Sequence, residues 1–179
     1  MERSFFRSLV AQGAHPSLGA HAETYGRLIG DWLGEVHLYP PGGERLTTSA
    51  EAHFEWVLEG RAIQDVWITP SRTDRASGIR APAELYGLGL YGTTLRVFSA
   101  KTESWQVVWW DPPSGIRSEL EGRRIGDDIV QLGAREARPI RWTFSALRPD
   151  SFVWQAHALE PDGATWGLQG EFVFRRERK

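Results

Sequence analysis

Hydrophobic and polar residues change their spacing once along this chain, near residue 30. Before it the period is helical. Phe5, Phe6, Leu9 and Val10 share one helical face, and Leu18, Ala22, Tyr25, Leu28 and Ile29 recur at the spacing of a second helix. His15-Pro16 separates the two helices, Ser17 is placed to cap the second, and Gly30 ends it. After it the period is two. Trp32, Gly34, Val36 and Leu38 alternate with Asp31, Leu33, Glu35 and His37, and Pro40-Pro41-Gly42-Gly43 makes a turn. Ala52, Phe54, Trp56 and Leu58 alternate with Glu51, His53, Glu55 and Glu59, and Arg61–Thr69 follows as the next strand.

Pro70–Pro82 is the longest polar stretch and reads as a loop at one mouth of the fold. Strands are then expected at Ala83–Tyr91, Thr93–Ala100, Ser104–Asp111, Gly115–Gly122, Asp128–Gly133, Ile140–Leu147, Ser151–Leu159 and Thr165–Arg176. Short turns such as Asp111-Pro112-Pro113, Arg148-Pro149-Asp150 and Pro161-Asp162-Gly163 separate them, so successive strands are antiparallel neighbours. A meander of about ten strands removes its edges by closing. The expected fold is mainly β: an up-and-down antiparallel barrel over 30–176, preceded by a helical segment over 1–29, in one domain spanning 1–179.

Composition narrows the function classes. With 179 residues and a formal charge of −2, nothing marks nucleic acid or an anionic membrane as partner. The absence of cysteine removes disulfides and thiolate metal sites, and there is no asparagine to carry an N-linked glycan. The apolar run in MERSFFRSLVAQ is too short for a signal peptide, and no window approaches a membrane span, so the cytoplasm is the expected compartment. Nineteen arginines against two lysines suggest a GC-rich bacterial genome. Nine tryptophans, eight phenylalanines and four tyrosines are material for a core or for the wall of a ligand pocket.

Motifs for chemistry are sparse. Gly87-Leu88-Gly89-Leu90-Tyr91-Gly92 matches GxGxxG, but a strand-forming segment follows it, where a dinucleotide site needs a helix; glycines easing strand curvature are the expected reading. The five histidines show no metal-ligand spacing, and neither a metal nor another cofactor is implied. Glu119 and Glu121 alternate with Arg117 as a solvated strand face. On the last strands Ile140/Trp142/Phe144, Phe152/Trp154/Ala156 and Trp166/Leu168/Phe172/Phe174 form the face expected to line the lumen, which turns Arg141, His157 and Glu171 outward. In Ser104–Asp111 the two faces, Trp105/Val107/Trp109 and Gln106/Val108/Trp110, are about equally apolar.

Parity leaves Asp65, Tyr86 and Arg96 as candidate polar groups in an otherwise apolar lumen, with a buried or rim ion pair as the structural alternative for Asp65 and Arg96. The leading expectation is a small, largely apolar or aromatic ligand held against Trp56, Trp109, Trp142 and Trp154 and oriented by Asp65, Tyr86 and Arg96. An alternative is an isomerase, cyclase or hydrolase using the same pocket, with Asp65 or Tyr86 as acid or base and Arg96 stabilising developing negative charge. A filled barrel acting as an interaction domain, and a homodimer, are further possibilities.

Gly30-Asp31-Trp32, at the start of the first strand, resembles the GxW of lipocalins and the wider calycin superfamily. That resemblance implies a Trp closing one barrel end beneath an arginine of the last strand, here Arg175 or Arg176. Gly60 through Asp65, Tyr91 through Val97, Trp105 through Trp109, Arg141 through Phe144, Asp150 through Trp154 and Asp162 through Trp166 resemble uncharacterised bacterial proteins of the DUF1579 type, which implies a lipocalin-like barrel and brings no reaction. Gly30-Asp31-Trp32-Leu33-Gly34 followed by Pro40 also resembles the opening of nitrobindins, which implies haem held by a histidine of a C-terminal strand. TWGLQGEFVFRR contains no histidine, and His157 is the only nearby substitute.

Overall fold

A computed structural model describes residues 4–82 and 91–177. Ten strands run in chain order: β1 (Gly30–Leu38), β2 (Leu46–Val57), β3 (Ala62–Ile68), β4 (Tyr91–Ser99), β5 (Ser104–Asp111), β6 (Ile116–Ile125), β7 (Asp128–Arg135), β8 (Arg138–Arg148), β9 (Ser151–Leu159) and β10 (Trp166–Arg176). Each pairs antiparallel with its chain neighbours, and β1 pairs with β10, so the sheet closes into an up-and-down barrel. No helix among the described residues is long and apolar enough to cross a membrane.

Closure at β1 and β10 rests on one local constellation. The Trp32 indole donates to the Leu28 carbonyl at 2.7 Å, and the Arg176 guanidinium lies 4.1 Å from the centre of its ring. Arg176 also donates to the carbonyls of Ile29, Pro149 and Arg27 at 2.7, 2.7 and 3.3 Å. A Cβ on Gly30 would stand 2.5 Å from this guanidinium, so the glycine of the motif is the space the arginine needs. Arg176, not Arg175, is therefore the partner of Trp32. Arg176→Met should cost about 2 kcal/mol in urea denaturation, and Arg176→Lys should restore little, because a point ammonium cannot bridge three carbonyls while covering the ring.

The N-terminal segment plugs the same end. It comprises α1 (Ser4–Leu9), a 3-10 turn (Pro16–His21) and α2 (Ala22–Gly26). Leu18, Tyr25 and Leu28 are buried as their spacing predicts, but Phe5, Phe6 and Val10 are exposed. Backbone bonds from Ala11 to Trp56 and from Leu58 to Leu9 tie this stretch to the β2–β3 turn, which leaves the apolar face of α1 in solvent. The cap also differs from expectation. His15 occupies the N-cap and its Nδ1 accepts from the Ser17 amide, so Ser17 lies within the first turn.

Pro70–Pro82 contains a short helix, α3 (Arg72–Ala76), capped by Ser71 accepting from the Asp74 amide. The outward face of β2 anchors it. Glu51 accepts from the Arg72 amide at 2.6 Å and from its guanidinium at 2.8 and 3.0 Å. Burial alone would raise the Glu51 carboxyl, but these bonds prevail and hold it below its ordinary range.

Parity along β5 is settled by burial: Trp105, Val107 and Trp109 point inward and Trp110 is exposed. On β6 the outward Arg117–Glu119 and Arg123–Glu121 pairs form the expected solvated face. β10 corrects one expectation. Its register shifts between Leu168 and Gly170, which sets Gly170 opposite Ala156 but Leu168 opposite His157. Trp166 and Leu168 thus leave the lumen face held by Phe172 and Phe174, and the Trp166 ring receives the outward Arg141 guanidinium at 4.9 Å.

The strand expected over Ala83–Tyr91 lies outside the described residues except for Tyr91, where β4 begins. Of the GxGxxG segment, only Tyr91 and Gly92 are described. A Cβ on Gly92 would meet the six-membered ring of Trp109 at 2.3 Å, so this glycine seats an indole on the inner wall.

Candidate functional site in the barrel lumen

The inner wall changes character from the plugged end to the end bearing the Pro40 turn, here called the mouth. Near the plug, rings fill the lumen: Trp32 meets Phe152 at 4.7 Å, Phe152 meets Phe174 at 5.0 Å, and Tyr25 meets Trp105 at 5.2 Å. Toward the mouth the inward positions hold small residues, among them Ala50, Thr94, Ser118 and Ala158, beside four tryptophans: Trp67, Trp109, Trp142 and Trp154.

Between these halves sits one buried ion pair. Asp65 on β3 accepts from Arg96 on β4 with one oxygen and from the Thr94 amide at 2.9 Å with the other. Both side chains are essentially inaccessible. The guanidinium is framed by the rings of Tyr25, Phe54 and Phe144 at 5.0, 5.6 and 5.7 Å. A charge in such a place persists only because it is paired and bonded. With Asp65 inaccessible and each of its oxygens held by a structural donor, the acid–base reading loses its best residue. Tyr25 cannot replace it near neutral pH. Burial pushes its phenol up to about 12, although Arg96 and Gln131 pull the other way.

Of the residues expected to line a site, the structure brings Trp109, Trp142 and Trp154 together. Trp109 and Trp142 meet edge-to-face at 6.4 Å, and Trp142 and Trp154 at 5.4 Å. Asp65 and Arg96 lie deeper. Trp56 stands at the plugged end, where Gly26 of α2 leaves room for its ring. Tyr86 lies outside the described residues.

Sequence reasoning missed Trp67, Ser118 and Gln131. Trp67 is the hub of the interior, with Trp154, Phe172 and Phe174 at 5.2, 5.4 and 5.2 Å. It shares parity with Asp65, two residues earlier, and that signal was available. Ser118 and Gln131 are wholly buried without a well-formed hydrogen bond, as are the indole nitrogens of Trp109 and Trp142. Register links the four. Ser118 is directly opposite Trp109, and Gln131 is directly opposite Trp142.

A recess of about 510 Å³ opens at the mouth among Leu38, Tyr39, Arg135, Arg138, Glu160 and Gln169. Arg138 pairs with Glu160 at 3.3 Å, and Arg135 donates to Gln169 at 2.7 Å. All five histidines are described, and none faces the lumen: His157 is outward on β9, His37 and His53 are outward on β1 and β2, and His15 and His21 belong to the plug. The donor set of the inner wall therefore does not fit a histidine-ligated haem.

Among solved structures, the protein Rv2717c from M. tuberculosis superposes with a TM-score of 0.58 at 16% identity, over 92% of this chain and 99% of that one. The S-type phycobiliprotein lyase CPES from Guillardia theta superposes with a TM-score of 0.57 at 11% identity, over 88% of this chain and 92% of that one. The chain has a lipocalin-like barrel fold. At such identities the likeness is one of fold alone. No protein-family model and no curated protein matches the chain, so the DUF1579-type resemblance rests on its six segments.

Proposed function

We propose that this barrel binds a small, largely apolar or aromatic molecule in the mouth-side half of its lumen, against Trp109, Trp142 and Trp154. The observation that carries the reading is the group of buried donors without partners beside these tryptophans, the indole nitrogens of Trp109 and Trp142 and the Ser118 hydroxyl. Each such unmet donor costs about 1–3 kcal/mol unless something completes it. A site retains such groups because its occupant completes them. Asp65 and Arg96 serve this reading as the buried pair that fixes β3 against β4 beneath the occupant, at one residue's register. The fold shared with a phycobiliprotein lyase is compatible with a small-molecule site.

The test is fluorescence titration with N-phenyl-1-naphthylamine, a neutral aromatic probe. Wild-type protein should bind it at micromolar concentration with a blue-shifted emission. Ser118→Phe and Ala156→Phe, which place a ring in the same space at an overpacking cost of about 1–3 kcal/mol, should abolish binding while the circular dichroism stays that of a β-barrel. A wild type that ignores the probe, or filled variants that bind it equally well, would overturn the reading.

A further inference from the structure

Hydrogen-bond polarity on the inner wall says more about the occupant than its apolarity does. The indole nitrogens of Trp109 and Trp142 are donors and nothing else, and both are buried and unpartnered. The Ser118 hydroxyl, opposite Trp109, is also unpartnered and can donate or accept as its rotor turns. Among the described residues, two carboxylates are buried at inward positions, and each already has donors of its own: Asp65 accepts from Arg96 and the Thr94 amide, and Asp111, two residues beyond Trp109 toward the mouth, accepts from the Tyr91 amide and the Ser114 hydroxyl. Beyond Ser118 toward the mouth, its direct neighbour on β7 is Arg135, a cation that donates to Gln169. The groups of fixed polarity left open on this stretch, the two indole N–H groups, are thus donors, while the Ser118 hydroxyl and the Gln131 amide can each either donate or accept.

We propose, resting on the lumen-binding reading above, that the occupant is an aromatic molecule bearing hydrogen-bond acceptors, such as a ring carbonyl or an aza nitrogen, and that the wall discriminates against plain hydrocarbons. A hydrocarbon of the right shape fills the space but leaves two indole N–H groups stranded. An acceptor at the same place engages them. Sites built around unmet polar groups discriminate most strongly against analogues that lack the complementary atom.

The test uses two ligands of nearly equal size, 2-acetylnaphthalene and 2-ethylnaphthalene, each displacing N-phenyl-1-naphthylamine. Apolar partition alone favours the ethyl compound, so preference for the ketone has to come from the wall. Wild-type protein should bind the acetyl compound about tenfold more tightly, and the ratio should fall toward one in Trp109→Phe, Trp142→Phe and Ser118→Ala. Ser118→Ala removes a single atom, and the Trp→Phe changes remove the N–H while keeping an aromatic ring of smaller size; any one of them that folds suffices. A wild-type ratio of one or less, with the probe bound, would overturn this inference and leave the binding reading standing. Ratios unchanged in every folded variant would overturn the assignment of the donors. Failure of the probe to bind at all removes both.

Discussion

Arg96→Met is expected to lower stability by about 3–5 kcal/mol, because it leaves the Asp65 carboxylate buried with only a backbone amide. For a domain of this size that corresponds to a fall in Tm of roughly 10 °C. The guanidinium does more than neutralise. It is the cation about which Tyr25, Phe54 and Phe144 are arranged, and Tyr25 belongs to the plug. Its loss should therefore loosen the plug as well as the β3–β4 pairing, and amide exchange in 18–28 should accelerate. The double variant Asp65→Leu/Arg96→Met separates the pair's net worth from the cost of stranding one member. It should recover most of the loss, since apolar replacements of a buried pair are often neutral or stabilising. A double variant as unstable as Arg96→Met alone would show that the pair contributes net stability, and urea denaturation of wild type, Asp65→Leu, Arg96→Met and the double variant decides it.

Trp67→Ala should cost a similar amount, about 3–5 kcal/mol, by emptying the centre of the aromatic cluster. Trp67 is only 4% exposed and lies against rings from β2, β8, β9 and β10, so the cavity cannot collapse without moving four strands. Trp67→Phe keeps a ring there and should cost less than half as much. Trp67 also stands beside Trp154, so the alanine variant extends the lumen from the candidate site inward. N-phenyl-1-naphthylamine should stabilise that variant by a larger Tm increment than wild type, which thermal melts with and without the probe measure.

Most of the architecture was legible from residue periods. Strand by strand, the inward sets read from β8 and β9 are those observed, and so is that of β2 except Leu58, which is exposed in the turn beyond Val57, because each strand carries large apolar residues on one parity and polar ones on the other. β5 was not legible, since Trp110 and Val108 are as apolar as Trp109 and Val107 and only the closed barrel decides between them. β7 is misleading in the same way: Leu132 is exposed while Gln131 is fully buried. β10 failed for another reason. A one-residue register shift reverses parity, and the glycines that bracket it, Gly167 and Gly170, are its only signal in the sequence. The tryptophan trio Trp109, Trp142 and Trp154 was identified as wall, whereas Trp56 carries the same pattern and belongs to the plug, because parity gives the face of a strand but not the height along it. Ser118 and Gln131 were passed over because a polar residue on an inward parity is indistinguishable, in one sequence, from a solvated one.

The pairing of β1 with β10 also governs how this chain emerges from the ribosome. Trp32 and Arg176 are 144 positions apart in the chain, yet the ring of strands does not exist until they meet. Throughout synthesis of the intervening segment, β1 presents an open edge of amides and carbonyls beside a hairpin with β2, and each newly made strand presents another. At about 5–20 residues per second, that exposure lasts on the order of ten seconds. The outward faces at that growing edge carry Arg117, Glu119, Glu121 and Arg123, paired charges that hinder strand addition by a second nascent chain. The same charges that look idle on the finished barrel therefore act as guards during its manufacture.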